Sequence, residues 1–99
     1  NTPLYIASRD GFSTIVEMLL NANAEMDNLN YYGYTPLFVA SISGHSTIVE
    51  MLVNANADVN IATVFDGETP LYIASRKGHS TIVEMLMNAN ADVNVATNN

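Results

Sequence analysis

The sequence has no cysteine, no long apolar run and no amino-terminal leader pattern. Without cysteine, the chain cannot form disulfides, thiolate metal sites or a cysteine nucleophile. No run of about 18 apolar residues is present to span a bilayer, and no charged segment followed by an apolar one marks a secretory leader. We therefore predict neither membrane insertion nor secretion, and we expect a cytoplasmic (intracellular) protein.

Positive charge is also scarce. The formal net charge is -7, and the only fixed cations are Arg9, Arg76 and Lys77. A field of this sign repels phosphate backbones and anionic membrane surfaces. Nucleic acid is therefore not an expected partner.

What the sequence does contain is a repeated motif. Thr2-Pro3-Leu4 recurs after 33 residues at Thr35 and after a further 34 residues at Thr69. A period in this range is typical of stacked supersecondary units that bury a continuous core together. We predict one domain over 1–99, with repeats at approximately 2–34, 35–68 and 69–99. Function in such arrays usually belongs to a surface shared by several repeats.

The first half of each repeat predicts a short helix. In the middle copy Thr35 can cap the helix through its hydroxyl, and Pro36 suits the first helical position because the N–H it lacks would have no intrahelical partner. Gly44 predicts the end, since glycine adopts the left-handed conformation without a side-chain clash. A helix of about two turns is not stable alone in water, so its neighbours must hold it.

A second helix follows over Thr47-Ile48-Val49-Glu50-Met51-Leu52, apolar except for one exposed stripe. Thr47 and Glu50 have the spacing of a capping box, with Ser46 as an alternative cap. We expect the helix to end near residues 54–55, and we expect Asn56 and its counterparts Asn23 and Asn90 to adopt the left-handed conformation. The stretch from Ala57 onward contains Asp66-Gly67 and leads to Pro70, which predicts a hairpin-like turn.

With Thr-Pro-Leu opening one helix, Gly-His between the helices and Asn-Ala-Asp-Val-Asn after the second, the sequence resembles the ankyrin repeat over essentially its whole length. The resemblance implies an all-α solenoid of helix-turn-helix pairs joined by β-hairpin-like loops. The family usually has histidine after Thr-Pro-Leu, whereas this chain has Tyr5, Phe38 and Tyr72. We expect aromatic packing to supply part of the cohesion there.

Several residue types that can carry chemistry have a structural explanation instead. His45 and His79 occur once per repeat, too far apart to share a metal ion, and we expect them to support the inter-helix turn. No nucleophile stands in a set with a base, an orienting acid and an oxyanion hole. We predict no enzyme activity, no cofactor and no metal site.

The other recurring residues are also read as structural. The acids recur once per repeat and predict a solvated face, with Asp58 and Asp92 supporting turns. The recurrent methionines Met18, Met51 and Met85 are predicted to pack in the core. For Met87 the choice between core packing and an adaptable binding surface stays open.

The repeats differ at their loops and at the ends of their first helices. By resemblance, these are the positions that form the concave partner-binding surface of ankyrin repeats. Tyrosine and arginine are also over-represented at interface hot spots, although the alternative that these aromatics pack on a neighbouring repeat stays open. The candidate partner-binding residues are Arg9, Asp10, Tyr31, Tyr32, Tyr34, Ile42, Ser43, Phe65, Asp66, Glu68, Arg76 and Lys77. The acids Asp66 and Glu68 suggest a basic or mixed patch on the partner.

The favoured function is a non-enzymatic protein-binding module whose partner is another protein. The alternatives are a structural scaffold or spacer segment of a larger ankyrin-repeat protein, or a trimmed or engineered scaffold without a natural partner. Because Ile15 and Ile82 keep the internal apolar pattern in the terminal repeats, we expect the chain to be an excerpt of a longer array. We predict a monomer, with end-to-end self-association through the uncapped terminal repeats as an open alternative.

Overall fold

The computed structural model describes residues 1–95 and 97. These residues contain six α-helices and no strand. The helices are α1 (Pro3–Asp10), α2 (Ser13–Asn21), α3 (Pro36–Ser43), α4 (Ser46–Asn54), α5 (Pro70–Lys77) and α6 (Ser80–Asn88). Asn99, the predicted end of the third repeat, lies outside the described residues.

The first helix of each repeat begins and ends as predicted. The hydroxyl of Thr35 accepts a hydrogen bond from the backbone N–H of Phe38 at 3.0 Å, and Pro36 is the first helical residue. Gly44 ends α3 with φ 79°, the left-handed conformation that glycine adopts without strain. Equivalent caps occur at the starts and ends of α1 and α5.

The second helices begin two residues earlier than a cap at Thr47 predicts, and one residue earlier than the alternative cap at Ser46 predicts. Helix α4 starts at Ser46, and the preceding His45 makes no side-chain capping hydrogen bond. The predicted capping box of Thr47 and Glu50 is therefore wrong, because both residues already lie within the helix and both are exposed.

The predicted left-handed asparagines are confirmed. Asn23, Asn56 and Asn90 have φ of 62°, 71° and 66°. Past the end of α4, the N–H of Ala57 donates to the carbonyl of Leu52, and that of Asn56 donates to Val53, both at 3.0 Å. This pair of bonds is a Schellman motif, and it satisfies carbonyls that the end of the helix leaves without partners.

The helices form two layers. Helices α1, α3 and α5 pack side by side in one layer, α2, α4 and α6 form the other, and each first helix packs on the second helix of its own repeat. The apolar core lies between the layers and is continuous from repeat to repeat. Its largest fully buried members include Leu4, Leu37, Ile48, Leu52, Ile82 and Leu86.

Each histidine of the inter-helix turn contacts the preceding repeat. The Nε2 of His45 lies 3.1 Å from the carbonyl oxygen of Arg9, and its ring lies over Gly11, where an added Cβ would come within 2.8 Å of Cε1. His79 repeats this arrangement on Gly44. These contacts agree with the predicted structural role.

The methionine prediction is correct for two of its three residues. Met51 and Met85 are partly buried against the core, but Met18 is mostly exposed. Core placement was therefore wrong for Met18, because no helix pair precedes the first repeat within the described residues. Met87, which the sequence left open, is also exposed.

The predicted aromatic packing after Thr-Pro-Leu is found at two of three positions. Tyr5 and Phe38 are buried, whereas Tyr72 is half-buried. Burial raises the pKa of the Tyr5 phenol, because the ionised form loses its hydration there.

None of the described helices is long and apolar enough to cross a bilayer. Each has eight or nine residues, whereas a span needs about 20.

Candidate partner-binding surface

The loop between the first two repeats is closed by hydrogen bonds at its base. The backbone N–H of Asn30 donates to the carbonyl of Tyr34 at 2.9 Å. The side-chain oxygen of Asn30 also accepts from the N–H groups of Tyr32 and Tyr34. One asparagine thus holds the two ends of the turn together, in keeping with the preference for this residue type in turns.

The next loop uses the same base although it is one residue longer. The N–H of Thr63 donates to the carbonyl of Glu68 at 2.8 Å, and the Thr63 hydroxyl accepts from the N–H of Glu68. Thr63 therefore replaces Asn30, and Glu68 replaces Tyr34. The extra residue is contained between these anchors, which agrees with the predicted hairpin-like turns without any strand in the described chain.

The two loops touch each other at their tips. Gly33 has φ 78°, and a Cβ added to it would lie 2.7 Å from the Cβ of Val64. Only glycine permits an approach this close together with the left-handed backbone. The tips of the two loops therefore form one surface.

Large apolar side chains project from this surface. Tyr31, Tyr32 and Phe65 are 86%, 61% and 73% exposed, and Val64 between the tips is also exposed. The ring centroids of Tyr31 and Tyr32 are 5.7 Å apart. We call these four residues, Tyr31, Tyr32, Val64 and Phe65, the aromatic ridge.

Tyr34 supports the ridge and is only half-exposed. Its ring centroid lies 6.1 Å from that of Tyr32 and 4.8 Å from that of Phe38, which is buried on α3. The tilted rings have the geometry that aromatic pairs favour. The ridge is thereby connected to the core through Tyr34.

Glu68 does not lie on the open surface. Glu68 is only 6% exposed, and its Oε2 accepts a hydrogen bond from the Arg76 guanidinium at 3.0 Å. Arg76 also lies over the ring of Tyr72, with 5.7 Å to the centroid. Because Arg76 already neutralises Glu68, this carboxylate offers little free charge to the basic or mixed patch that the sequence suggested on a partner.

The end of the first helix in repeat one carries an ion pair of its own. The Nε of Arg9 lies 2.9 Å from Oδ1 of Asp10, and both side chains are exposed. Hydrogen bonding to Arg9 lowers the pKa of Asp10, and the same bond raises the pKa of Arg9. At the equivalent ends of α3 and α5, Ile42 is half-buried while Ser43 and Lys77 are exposed.

Charge is divided unequally between the two helix layers. The three fixed cations all lie on first helices, beside three acids on the same helices or loop tips, Asp10, Asp66 and Glu68. The other seven acids lie on the second helices and in the segments after them: Glu17, Glu25, Asp27, Glu50, Asp58, Glu84 and Asp92. The candidate surface is thus close to neutral, and the net charge of -7 arises on the second helices and the segments that follow them.

Comparison with protein families identifies the repeat. The model described as "Ankyrin repeats (3 copies)" matches residues 1–63, and the model "Ankyrin repeat" matches residues 66–98. The chain belongs to the ankyrin-repeat family. Ankyrin repeats are generally protein-interaction modules. A comparison with curated proteins finds no match.

Three residues that shape this ankyrin-repeat surface were not among the candidates selected from the sequence. Val64 belongs to the ridge, and Asn30 and Thr63 anchor the two loops. Val64 could have been found beside Phe65 in the longer loop. The sequence indicates the anchoring role of Asn30 and Thr63 only weakly, through the presence of a turn-forming residue type at the start of each loop.

No three His, Asp or Glu side chains in the part of the chain that the structure describes are placed to hold a metal ion. The acids that follow the second helices act locally instead. Asp58 and Asp92 accept hydrogen bonds from the N–H groups two residues later, Asn60 and Asn94. These are Asx turns, as expected for Asp58 and Asp92.

Proposed function

We propose that this ankyrin-repeat chain is a non-enzymatic protein-binding module that contacts its partner through the aromatic ridge and the adjacent first-helix ends. The supporting observation is the joint exposure of Tyr31, Tyr32 and Phe65 on two loops that touch. Exposed aromatic rings on a fixed base offer a large contact area at low cost in side-chain entropy.

The alternative, that the loop aromatics pack on a neighbouring repeat, applies to Tyr34 but not to Tyr31 or Phe65. The ring of Tyr34 packs against Phe38 in a tilted arrangement, whereas the other two rings have most of their surface in solvent. The loops are also held at their bases by Asn30 and Thr63. Little loop ordering is then left to oppose binding.

The ridge and its surroundings favour an apolar partner surface with a polar rim. Glu68 and Asp10 are already paired with Arg76 and Arg9, so the surface offers little uncompensated charge. The tyrosine hydroxyls can exchange hydrogen bonds at the edge of the contact. Affinity at such a surface depends on the few aromatic anchors that become fully desolvated.

The test compares two variants in capture experiments with the full chain. Tyr31→Ala with Phe65→Ala should weaken partner binding by about 2 kcal/mol or more, roughly 30-fold, with little change in thermal midpoint. Met87→Ala removes an exposed apolar side chain from a second helix, outside the ridge, and serves as the control. Binding lost in Met87→Ala but kept in the double variant would contradict the proposal.

Tyr34→Ala is a poor probe of the same contact. Its ring packs on Phe38, so removing it should lower the thermal midpoint as well as binding. Tyr31 and Phe65 separate the two effects.

A further inference from the structure

Two apolar grooves lie between neighbouring second helices. The first, between α2 and α4, has a volume of about 340 Å³, and the second, between α4 and α6, has a volume of about 300 Å³. None of the residues that line them belongs to a first helix or to the aromatic ridge. The grooves therefore form a surface of their own, and each is enclosed by two consecutive repeats.

The two grooves are built from equivalent residues. Their apolar lining is half-buried and consists of Leu20, Met51 and Ala55 in the first groove and of Val53, Met85 and Ala89 in the second. The larger of these side chains pack against the continuous core. The core thus keeps both grooves in shape, so a ligand meets a surface that needs little reordering.

Each groove has a glutamate at the same position, Glu17 in the first and Glu50 in the second. Both glutamates are exposed. The ion pairs of the residues that the structure describes involve only first helices and the loop before α5, so no cation neutralises these two carboxylates. Asn54 lines both grooves, and its amide oxygen can accept a further hydrogen bond.

An apolar groove with a carboxylate beside it fits the side chain of lysine or arginine. The methylene stem of such a side chain packs along apolar surface while its charged head reaches a polar group. The charge of this layer favours the same ligand, because the fixed cations of the chain all lie on first helices. A cationic ligand is therefore complementary to the grooves in both shape and charge.

The spacing of the grooves selects the conformation of the ligand. Packed helices lie about 8 to 10 Å apart, so equivalent points in the two grooves are separated by about this distance. In a polyproline II segment, side chains three residues apart point in the same direction and lie about 9 Å apart. In a β-strand, side chains three residues apart point to opposite faces.

We propose that the two grooves bind a basic, proline-containing segment of a partner protein in the polyproline II conformation. Two basic side chains, three residues apart, occupy the two grooves. Their charged heads pair with Glu17 and Glu50, and the segment crosses α4 near Asn54. This contact is separate from the one proposed for the aromatic ridge.

The first experiment compares two labelled peptides by fluorescence anisotropy with the 99-residue chain, at about 0.05 M salt. One peptide contains three Lys-Pro-Pro units, and the other has the same composition with its three lysines adjacent at one end. The spaced peptide can place a lysine in each groove, whereas the clustered peptide fills only one. The spaced peptide should bind at least about fivefold more tightly. Equal affinity would show that net charge alone attracts the peptides, and would overturn the proposal.

Variants of α4 test the position of the contact. Asn54→Lys adds a cation beside both grooves and should weaken binding of the spaced peptide at least about tenfold. Thr47→Lys adds the same charge to the same helix at an exposed position outside both grooves, and should weaken it by no more than about twofold. Equal losses in the two variants would place the peptide elsewhere and overturn the proposal.

A second matched pair removes one negative charge. Glu50→Gln should weaken binding of the spaced peptide about fivefold. Glu25→Gln, at an exposed position after α2 that lines neither groove, should have less than about a twofold effect. A larger loss for Glu25→Gln would contradict the proposed pairing.

The Tyr31→Ala with Phe65→Ala variant separates this inference from the proposed function. It should bind the spaced peptide as the wild type does, since neither residue lines a groove. Loss of peptide binding in this variant would mean that the peptide contacts the ridge, and would overturn the groove proposal while leaving the ridge as a binding surface.

Discussion

The imidazole Nε2 of His79 lies 3.1 Å from the carbonyl oxygen of Ile42, in the first helix of the preceding repeat. A carbonyl oxygen only accepts hydrogen bonds, so Nε2 carries the proton and donates it. The same ring covers Gly44. One side chain therefore joins two repeats both by a hydrogen bond and by packing.

Substitutions at His79 should separate these two contributions. His79→Phe keeps a ring over Gly44 but loses the hydrogen bond, and should lower the free energy of unfolding by about 1 kcal/mol. His79→Ala loses both and should cost about 2 kcal/mol. Urea denaturation at neutral pH measures both values. A larger loss for phenylalanine than for alanine would mean that the ring itself contributes nothing.

Gly44 and Gly78 form a matched pair for testing the same contact from the other side. Both have positive φ, 79° and 76°, so alanine is strained at either position by about 1 kcal/mol. At Gly44 the new Cβ also lies 2.9 Å from Cε1 of His79, whereas at Gly78 it meets nothing. We expect Gly44→Ala to lower the thermal midpoint more than Gly78→Ala. Equal effects would show that the ring moves aside without cost.

Asp27 accepts a hydrogen bond that crosses between repeats. Its Oδ1 lies 3.0 Å from the backbone nitrogen of Asp58, and Asn60 makes the equivalent bond to the nitrogen of Asp92 at 2.9 Å. An amide oxygen therefore serves as well as a carboxylate. Asp27→Asn should leave the free energy of unfolding nearly unchanged, and Asp27→Ala should lower it by about 1 kcal/mol. Chemical denaturation of the two variants side by side would expose a requirement for charge, if asparagine proved as harmful as alanine.

Ionisation of the buried Tyr5 phenol should lower the stability of the folded protein at alkaline pH. Burial raises its pKa in the folded protein, so its contribution is complete below the ordinary tyrosine pKa of about 10 and is lost as the pH rises through the folded value. Tyr5→Phe has no group to ionise. Its thermal midpoint should fall less than that of the wild type between pH 9 and about 11.5. Parallel curves for the two proteins would show that ionisation of Tyr5 does not cause the alkaline loss.

The sequence predicts most of the helix boundaries because they depend on local chemistry. Thr35, Pro36 and Gly44 determine the bounds of α3 through a side-chain cap, a fixed φ and a left-handed terminus, and all three act within a few residues. Asn56 follows the same logic. The capping box at Thr47 and the alternative cap at Ser46 both failed, because α4 begins directly after His45 without a side-chain cap and neither hydroxyl marks its start.

The pairing of Glu68 with Arg76 could not be predicted from sequence. It depends on how the loop folds back over α5, which the local pattern does not specify. Exposure of Met18 was missed for a related reason, because a repeated position has the same sequence signal whether or not a neighbour covers it. The differences between repeats therefore locate the candidate surface in the sequence. That the rings of Tyr31 and Phe65 are exposed while the ring of Tyr34 is partly buried follows only from the folded structure.

The two loops share a base and differ only between its anchors. Asn30 and Thr63 each bond across the base through a backbone N–H and a side-chain oxygen, although Thr63 encloses an additional residue and Asn30 makes a further bond to Tyr32. The tip can therefore gain a residue, or exchange one other than Gly33, without shifting the helices on either side. Substitutions at these tips can therefore change what the protein recognises. The buried helix residues that stabilise the fold are not affected by such substitutions.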